Sequence, residues 1–180
     1  MVKSTYKKPN ITIITDAKTL DSIKKWAESK GLSMNALINE ILTKNTFFFK
    51  YVEEHECMII PSTIYKNMIG ILPEKMLTDL VERTTHEMVQ SVFALNNISY
   101  TMDNLIKFYF ESVGSWSGMY QTFMHYNDKG VTNLIFEHKY DIKWSKVISY
   151  VISDLIEKML ELSSKQKILP NTVILQVKEG

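Results

Sequence analysis

The sequence predicts an α+β protein in two parts, a short N-terminal module and a larger domain of packed helices and antiparallel strands. Three observations carry this reading. Between Ile11 and Leu42 the apolar residues repeat first at every second position and then every three to four, so one strand precedes two helices. Beyond residue 50, long stretches with helical spacing alternate with short runs of β-branched and aromatic residues bounded by Pro, Gly and Asn. The charge divides at the same place. Residues 1–50 carry nine lysines against four acidic residues, a balance of +5, whereas residues 51–180 hold 12 basic and 16 acidic side chains, a balance of −4. With 180 residues and 45% hydrophobic content, the chain can fill one large core or two small ones. The expected domains are 1–50 and 51–180.

In the strand, Ile11, Ile13 and Thr15 point to one face and Asn10, Thr12 and Ile14 to the other. A lone strand leaves its N–H and C=O groups unpaired at both edges. Pairing with the same strand of a second copy resolves this, giving a two-stranded antiparallel ribbon over four helices. Asp16 stands where the first helix needs an N-cap acceptor. Leu20, Ile23 and Ala27, with Trp26 beside them, make a stripe at helical spacing. Gly31 occupies the position just past the helix end, where a left-handed residue closes it. Ser33 caps the second helix, whose inner face is Leu37, Ile38, Ile41 and Leu42.

A strand, a helix, the Gly31-Leu32-Ser33 turn and a second helix, in that order, resemble the ribbon–helix–helix family of Arc/MetJ/CopG-type repressors. The resemblance covers the N-terminal module alone. It implies a homodimer, with a tetramer as a further assembly, that places its ribbon in the major groove of double-stranded DNA. It also implies a cytoplasmic transcriptional regulator of prokaryotic type, a repressor. On that reading Asn10, Thr12 and Ile14 face the groove, and Lys7 and Lys8 reach phosphates from the arm. Ser33 and the N–H groups of Met34 and Asn35, at a helix N-terminus, anchor a phosphate. The basic N-terminal module fits a polyanionic partner. One departure stands out: Arg83 is the only arginine in the chain, so the strand lacks the side chain that most often reads guanine. Asn and Thr instead favour A/T-leaning sites or recognition through backbone and shape. Two other readings are an antitoxin, which would add a toxin-binding tail, and an assembly protein that keeps the ribbon only for dimerisation.

After the second helix, Phe48, Phe49 and Val52 prolong it into a connector, and residues 57–60 read as a short strand. Pro61-Ser62 breaks that strand, and an amphipathic helix runs to Gly70. Pro73 opens a longer helix with Met76, Leu77, Leu80, Val81, Met88, Val92 and Leu95 as its buried stripe, leaving Asp79, Glu82, Arg83 and His86 solvated. Thr101 caps the next helix, with Leu105, Ile106, Tyr109 and Val113 inward, ending at Gly114–Gly118. Residues 119–126 and 131–138 read as two strands joined by the turn Asn127-Asp128-Lys129-Gly130. The longest helix covers about 142–162, with Trp144, Val147, Ile148, Val151, Ile152, Leu155 and Met159 inward, and Thr172–Val177 is a final strand. This domain senses an unidentified small-molecule effector or fixes assembly.

Other classes find little support. No Gly-x-Ser-x-Gly elbow and no phosphate-cradling glycine loop is present, so neither an enzyme nor a bound cofactor is expected. The single cysteine, Cys57, excludes an internal disulfide framework. No run reaches the roughly 20 apolar residues of a bilayer span, and the first ten residues lack a signal-peptide core, so no membrane partner is expected. The metal candidates are His55, Cys57, His86, His125 and His138. If Tyr126 faces Val131, then His125 faces Thr132, roughly 20 Å along the strand from His138, too far to share an ion. No metal site is expected. Trp116, Tyr120, Phe123, His125, Tyr126, Phe136, His138, Tyr140 and Trp144 cluster within a short stretch, and core or interface packing is their ordinary role.

Overall fold

A computed structural model describes residues 12–54 and 60–178. The chain divides into two compact units, Met1–Thr43 and Lys44–Gly180, a boundary earlier than the expected one at residue 50. In the first unit, helix α1 spans Ala17–Ser29 and α2 spans Met34–Lys44. Residues 12–16 have no regular structure, and no β-ribbon forms within the single chain. This corrects the expected strand as far as one chain is concerned. An antiparallel ladder needs a second strand, and this unit has none among its described residues.

In the second unit, α3 begins as a π-helical stretch, Asn45–Phe49, and continues as Lys50–Glu54. The expected strand at 57–60 falls largely on residues outside those described. Helices α4 (Ser62–Ile71) and α5 (Glu74–Leu95) follow, with Pro61 and Pro73 as their N-cap residues. Helix α6 starts at Met102–Asn104, capped by Thr101, and runs on as π-helix through Leu105–Gly114. Next come β1 (Thr122–Asp128), β2 (Val131–Glu137), α7 (Ile142–Leu160), β3 (Ser164–Ile168) and β4 (Thr172–Lys178). The strands form one antiparallel sheet in the order β1-β2-β4-β3. The α+β class therefore holds, with the sheet confined to the C-terminal half.

The β1–β2 turn is tighter than expected. Lys129 and Gly130 both take positive φ, 51° and 78°, which makes a two-residue hairpin loop whose twist suits the strands. Asp128 thus pairs with Val131 and Tyr126 with Asn133, so His125 lies opposite Leu134 rather than Thr132. Strand β3 was not foreseen.

Leu134 and Leu175 pair across β2 and β4, flanked by Phe136–Val173 and Thr132–Val177, and these residues form the inner face of the sheet. Helix α7 packs against β3 and β4, while Phe110 of α6 meets Phe123 and Phe136 at ring-centroid distances of 5.5 and 5.4 Å. The predicted stripe of α7 is buried from Trp144 to Leu155, with Met159 partly so, and Glu161 ends the helix in the left-handed conformation. On α5 the inner face is rotated from the one expected. Leu77, Val81, Thr85, Val89, Val92 and Phe93 are buried, whereas Met76, Leu80 and Leu95 are exposed. Of the aromatic cluster, Tyr120, Phe136, Tyr140 and Trp144 are core, and Tyr126 is exposed.

Charged pairs tie the helices together. Lys146–Glu74 (3.0 Å), Lys158–Glu82 (3.0 Å) and His86–Asp154 (2.9 Å) link α5 to α7. The Lys143 ammonium donates to the carbonyls of Ile69, Gly70 and Leu72 at 2.7–3.1 Å, closing the C-terminus of α4. No helix among the described residues is long and apolar enough to cross a membrane.

Candidate nucleic-acid interface

The N-terminal unit is shaped by its helix ends. The Asp16 carboxylate accepts from the Thr19 amide at 2.8 Å and from the Thr19 hydroxyl at 2.7 Å, which holds its pKa below the usual carboxylate value. At the other end of α1, Gly31 sits at φ +67°. Its amide donates to the Glu28 carbonyl at 3.1 Å, and the Leu32 amide donates back to Ala27 at 2.9 Å. These paired bonds satisfy carbonyls that the helix leaves open and turn the chain sharply into α2.

Ser33 then caps α2, accepting from the Ala36 amide at 3.2 Å. The amides of Met34 and Asn35 lie in the first turn, where a helix has no acceptor of its own to offer them. All three residues are exposed. The arrangement can hold an anion, because N–H dipoles and the positive helix end point the same way. Lys30 closes the turn from behind. Its ammonium is 2.8 Å from Glu40 and 5.3 Å from the centre of the Trp26 ring.

Thr12 and Ile14 are exposed, Ile14 at 96%, while Lys7, Lys8 and Asn10 lie outside the described residues. The apolar stripes are thinner than expected. In α1 Ala27 is buried, Ile23 is half-buried, and Leu20 and Trp26 stay exposed at 45% and 47%. In α2 Leu37 is fully buried, Ile38 and Ile41 are half-buried, and Leu42 is exposed.

The second unit holds a polar cluster that the sequence did not bring together. Glu82 and His86 stand one turn apart on α5, and Asp154 faces them from α7. One ligand atom from each lies within 4.8 Å of the others. The Lys158 ammonium bridges the two carboxylates, 2.9 Å from Asp154 and 3.0 Å from Glu82. Burial tends to raise the Asp154 pKa, but the hydrogen bonds from Lys158 and His86 outweigh it and lower the value. His86 was expected to be solvated next to Glu82; its cross-helix bond to Asp154 leaves it only partly exposed. The other predicted ligands disperse. His125 reaches Glu111 at 3.1 Å, and His138 is buried against Ser145. His55 and Cys57 lie outside the described residues.

Comparison of the chain with family models, with curated proteins and with solved structures found no match.

Proposed function

We propose that this protein is a homodimeric DNA-binding transcriptional regulator of ribbon–helix–helix type. Each N-terminal unit contributes one strand to a ribbon in the major groove, and the C-terminal unit serves assembly or effector sensing. The observation that carries the reading is the mismatch between surface and core in the N-terminal unit. Its described residues bury only Ala27 and Leu37, yet Ile13, Ile14, Leu20, Trp26, Leu32, Met34 and Leu42 are exposed. A segment of this size cannot offset its conformational entropy with so small a core, and a second copy is the nearest source of apolar surface. The Schellman turn at Gly31 and the open first turn of α2 supply the helix pair and phosphate anchor that such a dimer uses.

A second reading has one observation in its favour. The described outward positions, Thr12 and Ile14, offer no cationic side chain, as expected of an assembly protein that keeps the ribbon for dimerisation alone. One experiment separates the two. The full chain is titrated with genomic DNA fragments over a salt series, beside Asn10→Ala, Lys7→Ala and Lys8→Ala. A regulator loses affinity steeply with salt, and each lysine variant flattens that slope by about one unit on every sequence. Asn10→Ala weakens the preferred fragment by about 1–3 kcal/mol and random DNA much less. Equal loss of both for Asn10→Ala removes its reading role. Absence of binding at low salt selects the assembly protein.

A further inference from the structure

We propose that Glu82, His86 and Asp154 form a binding site for a divalent transition-metal ion of the zinc class, occupied in the metal-free protein by the Lys158 ammonium. Ligands about 2.0–2.2 Å from such an ion stand roughly 3–3.5 Å apart. The His86 nitrogen and the Asp154 oxygen are already 2.9 Å apart, and the third ligand atom completes a set within 4.8 Å. Small side-chain rotations therefore close the set. Spacing on α5 supports it, because residues four apart in a helix present side chains to the same point, and α7 supplies the third ligand across the interhelical seam. Each ligand is partly shielded, with 17% exposure for both His86 and Asp154 and 23% for Glu82.

The ligand chemistry narrows the ion. One imidazole and two carboxylates suit zinc, cobalt, nickel or manganese better than the all-oxygen shells of calcium or magnesium. Three protein ligands leave a further position to water, and an open surface depression of about 390 Å³ lined by Glu82, His86, Lys158 and Arg83 gives solvent access to that side of the cluster. Lys158 shows where a cation is wanted. It contacts both carboxylates, yet its own side chain is 54% exposed and free to swing into solvent. Metal in place of the ammonium gives the two carboxylates a doubly charged partner, with the uncharged imidazole as a third donor. Binding thus exchanges the Lys158 ammonium for the metal ion.

The test is titration of the dialysed full-length chain with Co²⁺, followed by the visible d–d absorption, with Zn²⁺ as competitor. Wild-type protein should bind Co²⁺ and release it to Zn²⁺. His86→Gln and Asp154→Asn should weaken binding by more than about tenfold, the least seen even for groups that only support a ligand. Lys158→Met, which removes the resident cation, should tighten it. Should Asp154→Asn fail to fold by circular dichroism, His86→Gln and Lys158→Met decide the question. Three results overturn the proposal: no Co²⁺ bound by either wild type or Lys158→Met, binding unchanged in His86→Gln, or unchanged affinity in Lys158→Met. The first would leave the cluster as a salt-bridge staple between α5 and α7. The second would place the ion on the chain's other histidines or Cys57.

Discussion

The two units of this chain solve the same folding problem with very different means. In the C-terminal unit, the inner face of α7 is buried from Trp144 to Ile156, and the sheet's own buried face carries Leu134, Phe136, Val173, Leu175 and Val177. Two of its large polar aromatics find carbonyl partners: the Trp144 indole donates to Met119 at 2.8 Å, and the Tyr120 hydroxyl donates to Phe110 at 2.8 Å. The N-terminal unit has correct helix ends and almost no interior. Its order comes from the local caps and turn at Asp16, Gly31 and Ser33 rather than from burial. The contrast teaches that local signals can define a fold's shape without supplying its stability. The apolar residues left exposed in the N-terminal unit are the reason a second copy is proposed as the source of its stability.

Substitutions can test that division, beginning with the largest effect. Trp144→Ala removes the largest fully buried side chain and should cost about 3–5 kcal/mol, read as a lower midpoint in urea unfolding. A change below about 1 kcal/mol would mean the core is less closely packed than described. Acid should act next, through His138. Its Nδ1 accepts from the Tyr140 amide at 3.2 Å, so the proton sits on Nε2, which donates to Ser145 at 2.8 Å. Burial lowers its pKa to about 4 against the opposing pull of Asp141. Unfolded chains take up this proton near pH 6.5, so stability present at neutral pH is lost as pH falls from about 6.5 to about 4. His138→Gln should flatten that part of the stability–pH curve; an unchanged slope would show that His138 does not titrate differently on folding. The smallest expected effect belongs to the other unit. Asp16→Ala loses the α1 cap and should lower the stability of the N-terminal unit slightly. If dimerisation supplies the stability there, the cost appears as weaker association rather than as loss of the C-terminal core. A matching loss in the C-terminal unit's own unfolding would contradict the separation.

Legibility followed the same division. Helix caps and turns were readable because one side chain decides each of them, as at Asp16, Gly31, Ser33 and Thr101. The α7 stripe was readable because both members of its apolar pairs, Val147-Ile148, Val151-Ile152 and Leu155-Ile156, are buried, so either choice of face finds the core. The α5 face was misjudged because its apolar residues come in adjacent pairs, Met76-Leu77, Leu80-Val81, Met88-Val89 and Val92-Phe93. A rotation of one residue, 100°, satisfies the pattern almost as well, and only packing against α7 chooses. Strand β3, Ser164–Ile168, was invisible for a different reason. Its inward residues are polar: Gln166 bonds Ser149 and Ser153 of α7 at 2.7 and 2.8 Å, and Ser164 bonds Ser153 at 2.9 Å. Lys165 and Lys167 occupy the exposed face of this edge strand, where charge discourages further pairing. The hairpin register needed the positive φ of Lys129, which a lysine does not announce. Asp154 joined His86 only through the α5–α7 packing. Of the residues proposed to face DNA, Ser33, Met34 and Asn35 stand at an exposed helix N-terminus, and the groove-reading role proposed for Asn10, Thr12 and Ile14 depends on a partner strand.

The central claim is that a second copy completes the N-terminal unit through residues 12–15. Amide hydrogen exchange on the full chain, followed from high to low protein concentration, tests it most directly. If the claim holds, alternate amides between Thr12 and Thr15 are protected while the protein is dimeric, as in an antiparallel ladder, and lose protection in step with dissociation. Amides at 12–15 that exchange at free-peptide rates while sedimentation still reports a dimer, or a monomer in which α1 and α2 keep full protection, would contradict it.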